Sequence, residues 1–317
     1  MCALFGFVNY RHAVSRKHLK ELVTKLASES EVRGTDASGI AYVKNGELKI
    51  FKRAKPAHKV RFYFPDNTTI LTGHTRMATQ GDARYNHNNH PFLGHTADGN
   101  FALCHNGVLY NDDMIAKMYK LPETNIKTDS YVAAQLIEKY GHLNFDTIAQ
   151  MSETVQGSFV FTLLNDDNTL YISKGDNPLC LVHFKQLGLY LYTSTTAIMK
   201  KVIKGSFLKH QKFDIIEINE GEIIRLDKNG VLTKDTFVPD CAYDGYNYFG
   251  FNSYRMGYND QESYLYDVCN IFGVSPDDIT LLYDMGYGDE DIEVMLNDEQ
   301  LMKDCLEEAR MYISECI

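Results

Sequence analysis

The sequence has few of the features that mark membrane, disulfide-rich or zinc-ribbon proteins. Its longest apolar stretches, such as FVFTLL at 159–164, are much shorter than the roughly 20 residues of a membrane-spanning helix. Its 7 cysteines are scattered and odd in number, and no two form a CxxC pair. This pattern argues against a disulfide framework and favours a reducing compartment. We therefore expect a cytoplasmic protein with no membrane association.

A concentration of basic residues is also absent. The net charge is -10, and most of it lies at the C-terminal end, where 13 acidic residues after Pro276 accompany only Lys303 and Arg310. Without a basic stripe to neutralise phosphates, nucleic-acid binding is not expected. The first residues lack a basic region followed by a long apolar stretch, so we expect no secretion signal.

Strand and helix patterns are mixed along the chain. Apolar residues predict short strands at 5–9, 40–43, 48–51, 70–72 and 101–104, and helices after Ser15 and at 111–119, 130–140 and 146–155. The Asn-, His- and Gly-rich stretch 82–100 is predicted to be loop. From Gly157 the pattern becomes a series of strands separated by turns. Together these features favour an α+β layered fold.

Composition divides the chain into three parts. Residues 2–238 carry the strand and helix patterns of one domain. Residues 239–274 are dense in Tyr, Asn and Gly and predict a connecting segment. Residues 275–317 are acidic and predict a tail of two or three short amphipathic helices.

Four polar residues at strand ends or in loops are candidates for chemistry. They are Cys2, Arg76 in GHTR, Asn106 in HNG and Asp129 in TDS. Each has an ordinary structural alternative. Cys2 could be a small hydrophobic residue, Arg76 an ion-pair partner, Asn106 part of a turn, and Asp129 a helix cap.

In this order, the surrounding motifs resemble the class II glutamine amidotransferases, which are N-terminal-nucleophile hydrolases. The closest likeness is to the glutaminase domains of glucosamine-6-phosphate synthase and glutamine phosphoribosyl-pyrophosphate amidotransferase. The matching stretches are MCALFGFV, RGTDASG, GHTRMATQG, NNHP, HNGVLYN and KTDS, followed by GSFVF, GDNPLC, YTSTTAIM and EGEIIRLDKNG. The resemblance covers about residues 2–234. It implies a four-layer αββα sandwich, to which the tail would add a small helical appendage.

The reaction implied by the resemblance is hydrolysis of the glutamine side-chain amide. Removal of Met1 would give Cys2 a free α-amine with a pKa of roughly 7.7–8.0, which can accept the thiol proton. The thiolate would attack the amide, release ammonia and form a γ-glutamyl thioester that water cleaves. The side-chain amide of Asn106 and the N–H of Gly107 would stabilise the oxyanion.

The resemblance also implies how glutamine is held. The planar fork of Arg76 suits the α-carboxylate, and Asp129 suits the α-ammonium group. Further pocket-lining positions are Met77, Thr79 and His90. A general amidase would not need a clamp for a zwitterion, so this pair favours glutamine as the substrate.

Two supporting positions and two departures complete the comparison. The resemblance implies that Arg33 and Asp36 steady the N-terminus. Met77 stands where glucosamine-6-phosphate synthases have a tryptophan, and Gln80 where they have a histidine. The departures leave hydrolysis itself unaffected but put the coupling to a particular ammonia acceptor in doubt.

No metal or other cofactor is expected. His87 and His90 have a ligand-like spacing, but no carboxylate or cysteine stands at a suitable interval. The resemblance accounts for His74, His90 and His105 without a metal. The sequence also contains no GxxxxGK[ST] phosphate-binding motif.

The fate of the ammonia leaves several hypotheses open. About 80 residues follow the predicted domain, too few for a typical acceptor domain, so we expect a separate ammonia-accepting protein partner. The oligomeric state is open. One alternative is hydrolysis of a γ-glutamyl conjugate, with the leaving amine near Met77. Another is an inactive scaffold that acts through its tail, where LLYDMGY at 281–287 faintly resembles ubiquitin-associated modules; a tail packed on its own domain is the simpler expectation.

Overall fold

The computed structural model describes residues 2–239, 274–285, 287, 291–292, 295 and 299–315. They form two compact units, one within 2–239 and one within 274–315. Most of the connecting segment predicted at 239–274 lies outside the described residues. In the part of the chain that is described, no helix is long and apolar enough to cross a membrane.

The first unit contains thirteen strands and five α-helices among its described residues. In chain order they are β1 (Ala3–Asn9), α1 (Arg16–Glu29), β2 (Ala37–Lys44), β3 (Glu47–Arg53), β4 (Ile70–Arg76), β5 (Phe92–Thr96), β6 (Gly99–Leu109), α2 (Asp112–Met118), α3 (Tyr131–Tyr140), α4 (Phe145–Thr154), β7 (Gly157–Asn165), β8 (Thr169–Lys174), β9 (Cys180–Phe184), β10 (Leu189–Thr193), α5 (Thr196–Lys204), β11 (Asp214–Ile216), β12 (Glu222–Leu226) and β13 (Leu232–Thr236).

The strands form two antiparallel sheets. The first has seven strands in the order β11-β9-β10-β1-β4-β2-β3, and the second has six in the order β13-β12-β8-β7-β6-β5. β1 lies in the middle of the first sheet. This position places the residue before β1 at one end of the sheet's central strands.

Alternation along β1 shows how the layers stack. Successive side chains of a strand point to opposite faces. Phe5 and Phe7 join an apolar cluster with residues of α1 and α5, whereas Leu4 and Val8 join a cluster shared by the two sheets. A third cluster lies between the second sheet and helices α2, α3 and α4. The layers therefore run helix, sheet, sheet, helix, and the predicted αββα sandwich is confirmed.

Local sequence signals begin several of these elements. The Ser15 side chain accepts a hydrogen bond from the His18 N–H at 3.4 Å and caps α1. The turn between β2 and β3 uses Asn45 and Gly46, both with positive φ, which is the combination that a tight hairpin requires. The helix after Ser15 and the strands on either side of this turn were predicted from the sequence and are confirmed.

Two predictions for 82–104 are corrected by the structure. The stretch 82–100 is not entirely loop, because β5 lies within it. The strand predicted at 101–104 continues to Leu109 in β6, so Asn106 and Gly107 lie in a strand and not in a turn. The Asn-Gly pair is a strong turn signal in isolation, but pairing with β7 across its whole length overrides it.

The second unit contains α6 (Pro276–Asp284) and α7 (Glu299–Glu315). Ser275 caps α6 by accepting a hydrogen bond from the Asp278 N–H at 3.2 Å. The unit has its own apolar cluster, formed by Val274, Ile279, Leu282, Ile292, Met295, Met302 and Leu306. The amphipathic pattern predicted helices here, although α7, with 17 residues, is longer than expected.

Candidate active site

Cys2 and Arg76 lie side by side at the ends of neighbouring strands. Ala3 of β1 pairs with Thr75 of β4, so the residue before β1 lies opposite the last residue of β4. The Cys2 Sγ is 3.5 Å from the carbonyl oxygen of Met77, to which the thiol can donate. This strand register places a thiol next to a guanidinium group.

The surroundings of Cys2 favour a neutral thiol in the resting site. Burial raises the pKa of Cys2 because it disfavours the thiolate, while the positive charge of Arg76 acts in the opposite direction. Since the thiolate is the nucleophilic form, Cys2 needs a group that removes its proton when it reacts.

Arg33 connects Cys2 to Asn106. Its side chain is buried and donates from Nε to the Cys2 carbonyl oxygen at 2.9 Å. Its Nη2 donates to Asn106 Oδ1 at 3.5 Å. Arg33 therefore connects Cys2, the residue before β1, to Asn106 in the second sheet.

The side-chain amide of Asn106 has a free donor. Asn106 is fully buried, and its Nδ2 has no hydrogen-bond partner among the described residues. Because Arg33 occupies the Oδ1 side, the orientation of the amide group is fixed with Nδ2 available. A buried N–H₂ without a partner is costly in a folded protein, and such groups are commonly used to bind a ligand.

Gly107, the next residue, must be glycine. Its φ is +147°, and a Cβ at this position would collide with the carbonyl oxygen of Ser158. The Val108 N–H is bound by the hydroxyl of Ser158 at 3.2 Å. The backbone around Gly107 therefore follows a path that no residue with a side chain could take.

The guanidinium group of Arg76 makes three hydrogen bonds, one from Nη1 and two from Nη2. It donates to Asn89 Oδ1 at 2.6 Å, to the Gly81 carbonyl oxygen at 2.9 Å and to the carbonyl oxygen of Gln80. Burial lowers the pKa of Arg76. Asn89 was not identified as a functional residue from the sequence, although the NNHP motif that contains it was the available signal.

Asp129 is joined to the loop that follows Arg76. Its carboxylate accepts from the Leu109 N–H at 2.8 Å and from the Ser130 hydroxyl at 3.2 Å. Its own N–H donates to Gln80 Oε1 at 2.7 Å. Gln80, one of the two departures noted in the sequence, thus connects the loop of residues 77–81 to Asp129.

Asp36 fixes the start of the same loop. Its carboxylate accepts from the Ala78 N–H at 2.7 Å, and its N–H donates to the Arg76 carbonyl oxygen at 2.9 Å. Within the loop, Met77 is half-buried and Thr79 is exposed. Asp36 therefore stabilises the backbone next to Arg76.

His90 is packed inside the protein among other rings. Its ring centroid is 4.2 Å from that of His74 and 4.3 Å from that of Phe92. Neither ring nitrogen has a hydrogen-bond partner among the described residues, and burial sets its pKa well below the ordinary value. Among the described residues, no cluster of three or more His, Cys, Asp or Glu side chains has the geometry of a metal site.

Comparisons with known proteins show which proteins this chain is similar to. Residues 74–200 match the glutamine amidotransferase domain family. A Staphylococcus epidermidis glutamine–fructose-6-phosphate aminotransferase (isomerizing) is 34% identical over 188 residues, which is 56% of this chain and 30% of that protein. The corresponding Staphylococcus aureus protein is 29% identical over 250 residues, 76% of this chain and 40% of that protein.

A solved structure shares the fold. Glutamine phosphoribosylpyrophosphate amidotransferase from B. subtilis, solved with ADP and GMP, superimposes with a TM-score of 0.60 at 20% identity. The match covers 75% of this chain and 49% of that one. The chain thus spans less than half the length of these relatives. The chain shares the fold of that amidotransferase. The chain is similar in sequence to a glutamine amidotransferase domain and to these aminotransferases, and similar in fold to this amidotransferase.

Proposed function

We propose that this chain hydrolyses the side-chain amide of glutamine and passes the ammonia to an acceptor on a separate protein. Residues 2–238 would form the glutaminase domain, and 275–317 a helical appendage. The names of the relatives, glutamine–fructose-6-phosphate aminotransferase and glutamine phosphoribosylpyrophosphate amidotransferase, support glutamine as the nitrogen donor. The cytoplasmic location expected from the sequence stays a prediction.

One observation carries the proposal: Arg33 connects Cys2, the proposed nucleophile, to the unpaired side-chain donor of Asn106. Arg33 binds the backbone of Cys2 and the side chain of Asn106, whose Nδ2 is buried and without a partner among the described residues. A tetrahedral adduct on Cys2 carries an oxyanion that needs such a donor. Most buried side-chain N–H₂ groups in folded proteins are paired, and a ligand oxyanion would pair this one.

The proposed reaction has two stages. After removal of Met1, the α-amine of Cys2 takes the thiol proton, and the sulfur attacks the amide carbon of glutamine. Asn106 Nδ2 and the Gly107 N–H stabilise the oxyanion. Collapse of the adduct breaks the C–N bond, the amine returns the proton to the leaving group, and ammonia departs. Water then cleaves the thioester and releases glutamate.

Glutamine would be held by its α groups. Arg76 has guanidinium N–H groups beyond its three observed bonds, and these can bind the α-carboxylate. The carboxylate of Asp129 would bind the α-ammonium group. Met77, Thr79 and His90 remain proposed pocket residues.

The test is an assay of glutamate and ammonia release from glutamine. Cys2→Ala is expected to abolish both products, whereas Cys104→Ala, which changes a buried thiol between the sheets, should retain them. Equal activity in the Cys2→Ala variant would contradict the proposal. Mass spectrometry of the products from γ-glutamyl amides distinguishes the alternative, because a conjugate hydrolase would release a larger amine much faster than ammonia.

A further inference from the structure

The peptide between Asn106 and Gly107 has an unusual anchor on its carbonyl side. Asn177, in the turn after β8, donates from Nδ2 to the carbonyl oxygen of Asn106 at 2.9 Å. Asn177 is buried, with only 1% of its surface exposed. A side chain from a different strand connection therefore holds the peptide that carries the Gly107 N–H.

Holding the carbonyl group also fixes the N–H group. A trans peptide is planar and places its C=O and N–H on opposite sides. The hydrogen bond from Asn177 therefore directs the Gly107 N–H away from Asn177. On the other side of β6, pairing with β5 ends at Leu103, so no described strand of that sheet pairs with Gly107 there.

An anchor in addition to the pairing with β7 is useful at this peptide. Gly107 has a positive φ, and glycine can adopt many backbone conformations at similar energy. An N–H that serves as an oxyanion donor must keep its direction before the substrate arrives. The hydrogen bond from Asn177 adds to the pairing with β7 in restricting the rotational freedom that glycine introduces.

The turn that carries Asn177 is itself fixed opposite Gly107. Phe159 of β7 is the residue facing Gly107. The Gly175 N–H donates to the Phe159 carbonyl oxygen at 3.0 Å, and the Phe159 N–H donates to the Asp176 carboxylate at 2.9 Å. The Gly175 backbone and the Asp176 side chain thus attach this turn to β7, the strand next to the peptide that Asn177 holds.

We infer that Asn177 is a positioning residue that aims the Gly107 N–H into the oxyanion site. The inference rests on the proposed function for the meaning of that site, and it adds a residue that does not touch the substrate. Nothing in the sequence motif GDNPLC alone distinguishes Asn177 from an ordinary turn asparagine.

The experiment replaces Asn177 by its isostere. Asn177→Asp keeps the shape and loses the donor to the Asn106 carbonyl oxygen. For glutamine hydrolysis we expect kcat to fall about 10- to 100-fold, while KM changes by less than about 3-fold because Arg76 and Asp129 are untouched. The loss should shrink as pH falls, because a protonated aspartic acid can donate again.

The matched control is Asn165→Asp, at the far end of β7. Asn165 is also buried, and its Oδ1 accepts a hydrogen bond from the Asp166 N–H, which an aspartate can retain. Its kcat should equal that of the wild type at every pH. Thermal melting shows whether each variant folds, and Asn177→Ala replaces Asn177→Asp if the latter does not.

A second readout does not depend on activity. In ¹⁵N-glycine-labelled protein, the Gly107 amide resonance should shift or broaden in Asn177→Asp and stay in place in Asn165→Asp. A folded Asn177→Asp variant with an unchanged Gly107 resonance overturns the inference, as does one with wild-type kcat. A wild-type protein that does not hydrolyse glutamine contradicts the proposed function, and the resonance then decides the inference alone.

Discussion

At the scale of single residues, the candidate site is organised without a substrate. Arg76 donates three hydrogen bonds to surrounding residues, and Arg33 orients the side chain of Asn106. Donors that are already oriented need not reorganise during a reaction, which is the main source of electrostatic catalysis. We therefore expect some substitutions in the site to weaken glutamine binding and others to slow the reaction.

Arg76→Lys should weaken glutamine binding more than it slows the reaction. Lysine keeps the charge but cannot reproduce the planar fork that contacts Asn89 and that, in the proposed function, also binds the α-carboxylate of glutamine. We expect KM for glutamine to rise about 10-fold or more, with a smaller change in kcat. Steady-state kinetics measure both values. Arg84→Lys, on the exposed arginine that pairs with Asp82, is the control and should leave both constants unchanged.

The buried histidines should make the protein sensitive to acid. Burial lowers the pKa of His74 to about 3 and sets that of His90 well below its ordinary value of 6.5, and Arg76 and Lys52 reinforce the shift at His90. In the unfolded chain these groups take up protons below about pH 6.5, so stability is lost as pH falls through that window. The folded state cannot take up the same protons until the pH is far lower.

His90→Phe tests this acid sensitivity. Phenylalanine can pack between His74 and Phe92, and it binds no proton in either state. The dependence of the unfolding free energy on pH should become shallower by about 1.4 kcal/mol per pH unit below pH 6.5. Urea titrations at several pH values measure the slope. An unchanged slope would show that His90 is protonated in the folded protein, and the exposed His210→Phe serves as the control.

The sequence motifs predicted which residues lie in the candidate site, but not all of the contacts that hold these residues in place. Short recognisable motifs contain the four residues first identified as candidates for chemistry, which are Cys2, Arg76, Asn106 and Asp129. These residues could therefore be identified from the sequence. The hydrogen bond from Arg76 to Asn89 spans 13 residues and that from Asn177 to Asn106 spans 71. Such contacts depend on how separate strands approach one another, and no local pattern predicts them.

At the scale of secondary-structure elements, β5 is a strand that its local sequence pattern does not predict. Its sequence FLGHT has one large buried apolar residue, Phe92, and lies in a stretch rich in Asn, His and Gly. It is a strand because it pairs with β6, where the ring of Phe101 covers the backbone of Gly94. By contrast, β1 and the β2–β3 hairpin have strong local signals and were predicted.

Gly94→Ala should destabilise the second sheet. A Cβ at this position would collide with the ring of Phe101, which is fully buried in the cluster below α3. We expect a loss of about 1–3 kcal/mol in the free energy of unfolding. Chemical denaturation measures it. Leu93→Ala, on an exposed residue of the same strand, should cost less than about 0.5 kcal/mol, and equal losses in both variants would contradict this account of β5.

At the scale of the whole molecule, two units carry separate apolar clusters. Among the described residues, the cluster of the second unit is formed by residues between Val274 and Leu306. The acidic charge of the chain is also concentrated there. The chain spans less than half the length of the relatives described above, and the residues that match the glutamine amidotransferase domain, 74–200, lie in the first unit. The chemistry proposed above is therefore assigned to the first unit alone.

Removing residues 276–317 should leave glutamine hydrolysis intact. Every residue placed in the candidate site lies between Cys2 and Asn177, within the first unit. We expect kcat and KM for glutamine to match those of the full chain within about 2-fold. A kinetic assay of the truncated protein, with its oligomeric state measured beside the full chain, checks this. Loss of hydrolysis in a folded truncated protein would assign the tail a role in the site.

The central claim is that Cys2 is the nucleophile, and the covalent intermediate at Cys2 tests it most directly. The protein is mixed with glutamine, quenched in acid during turnover and digested, and the N-terminal peptide is weighed by mass spectrometry. We predict that this peptide begins at Cys2, without Met1, and carries a γ-glutamyl group that hydroxylamine removes. A fully active protein that retains Met1, or a γ-glutamyl group on another residue, would contradict the central claim.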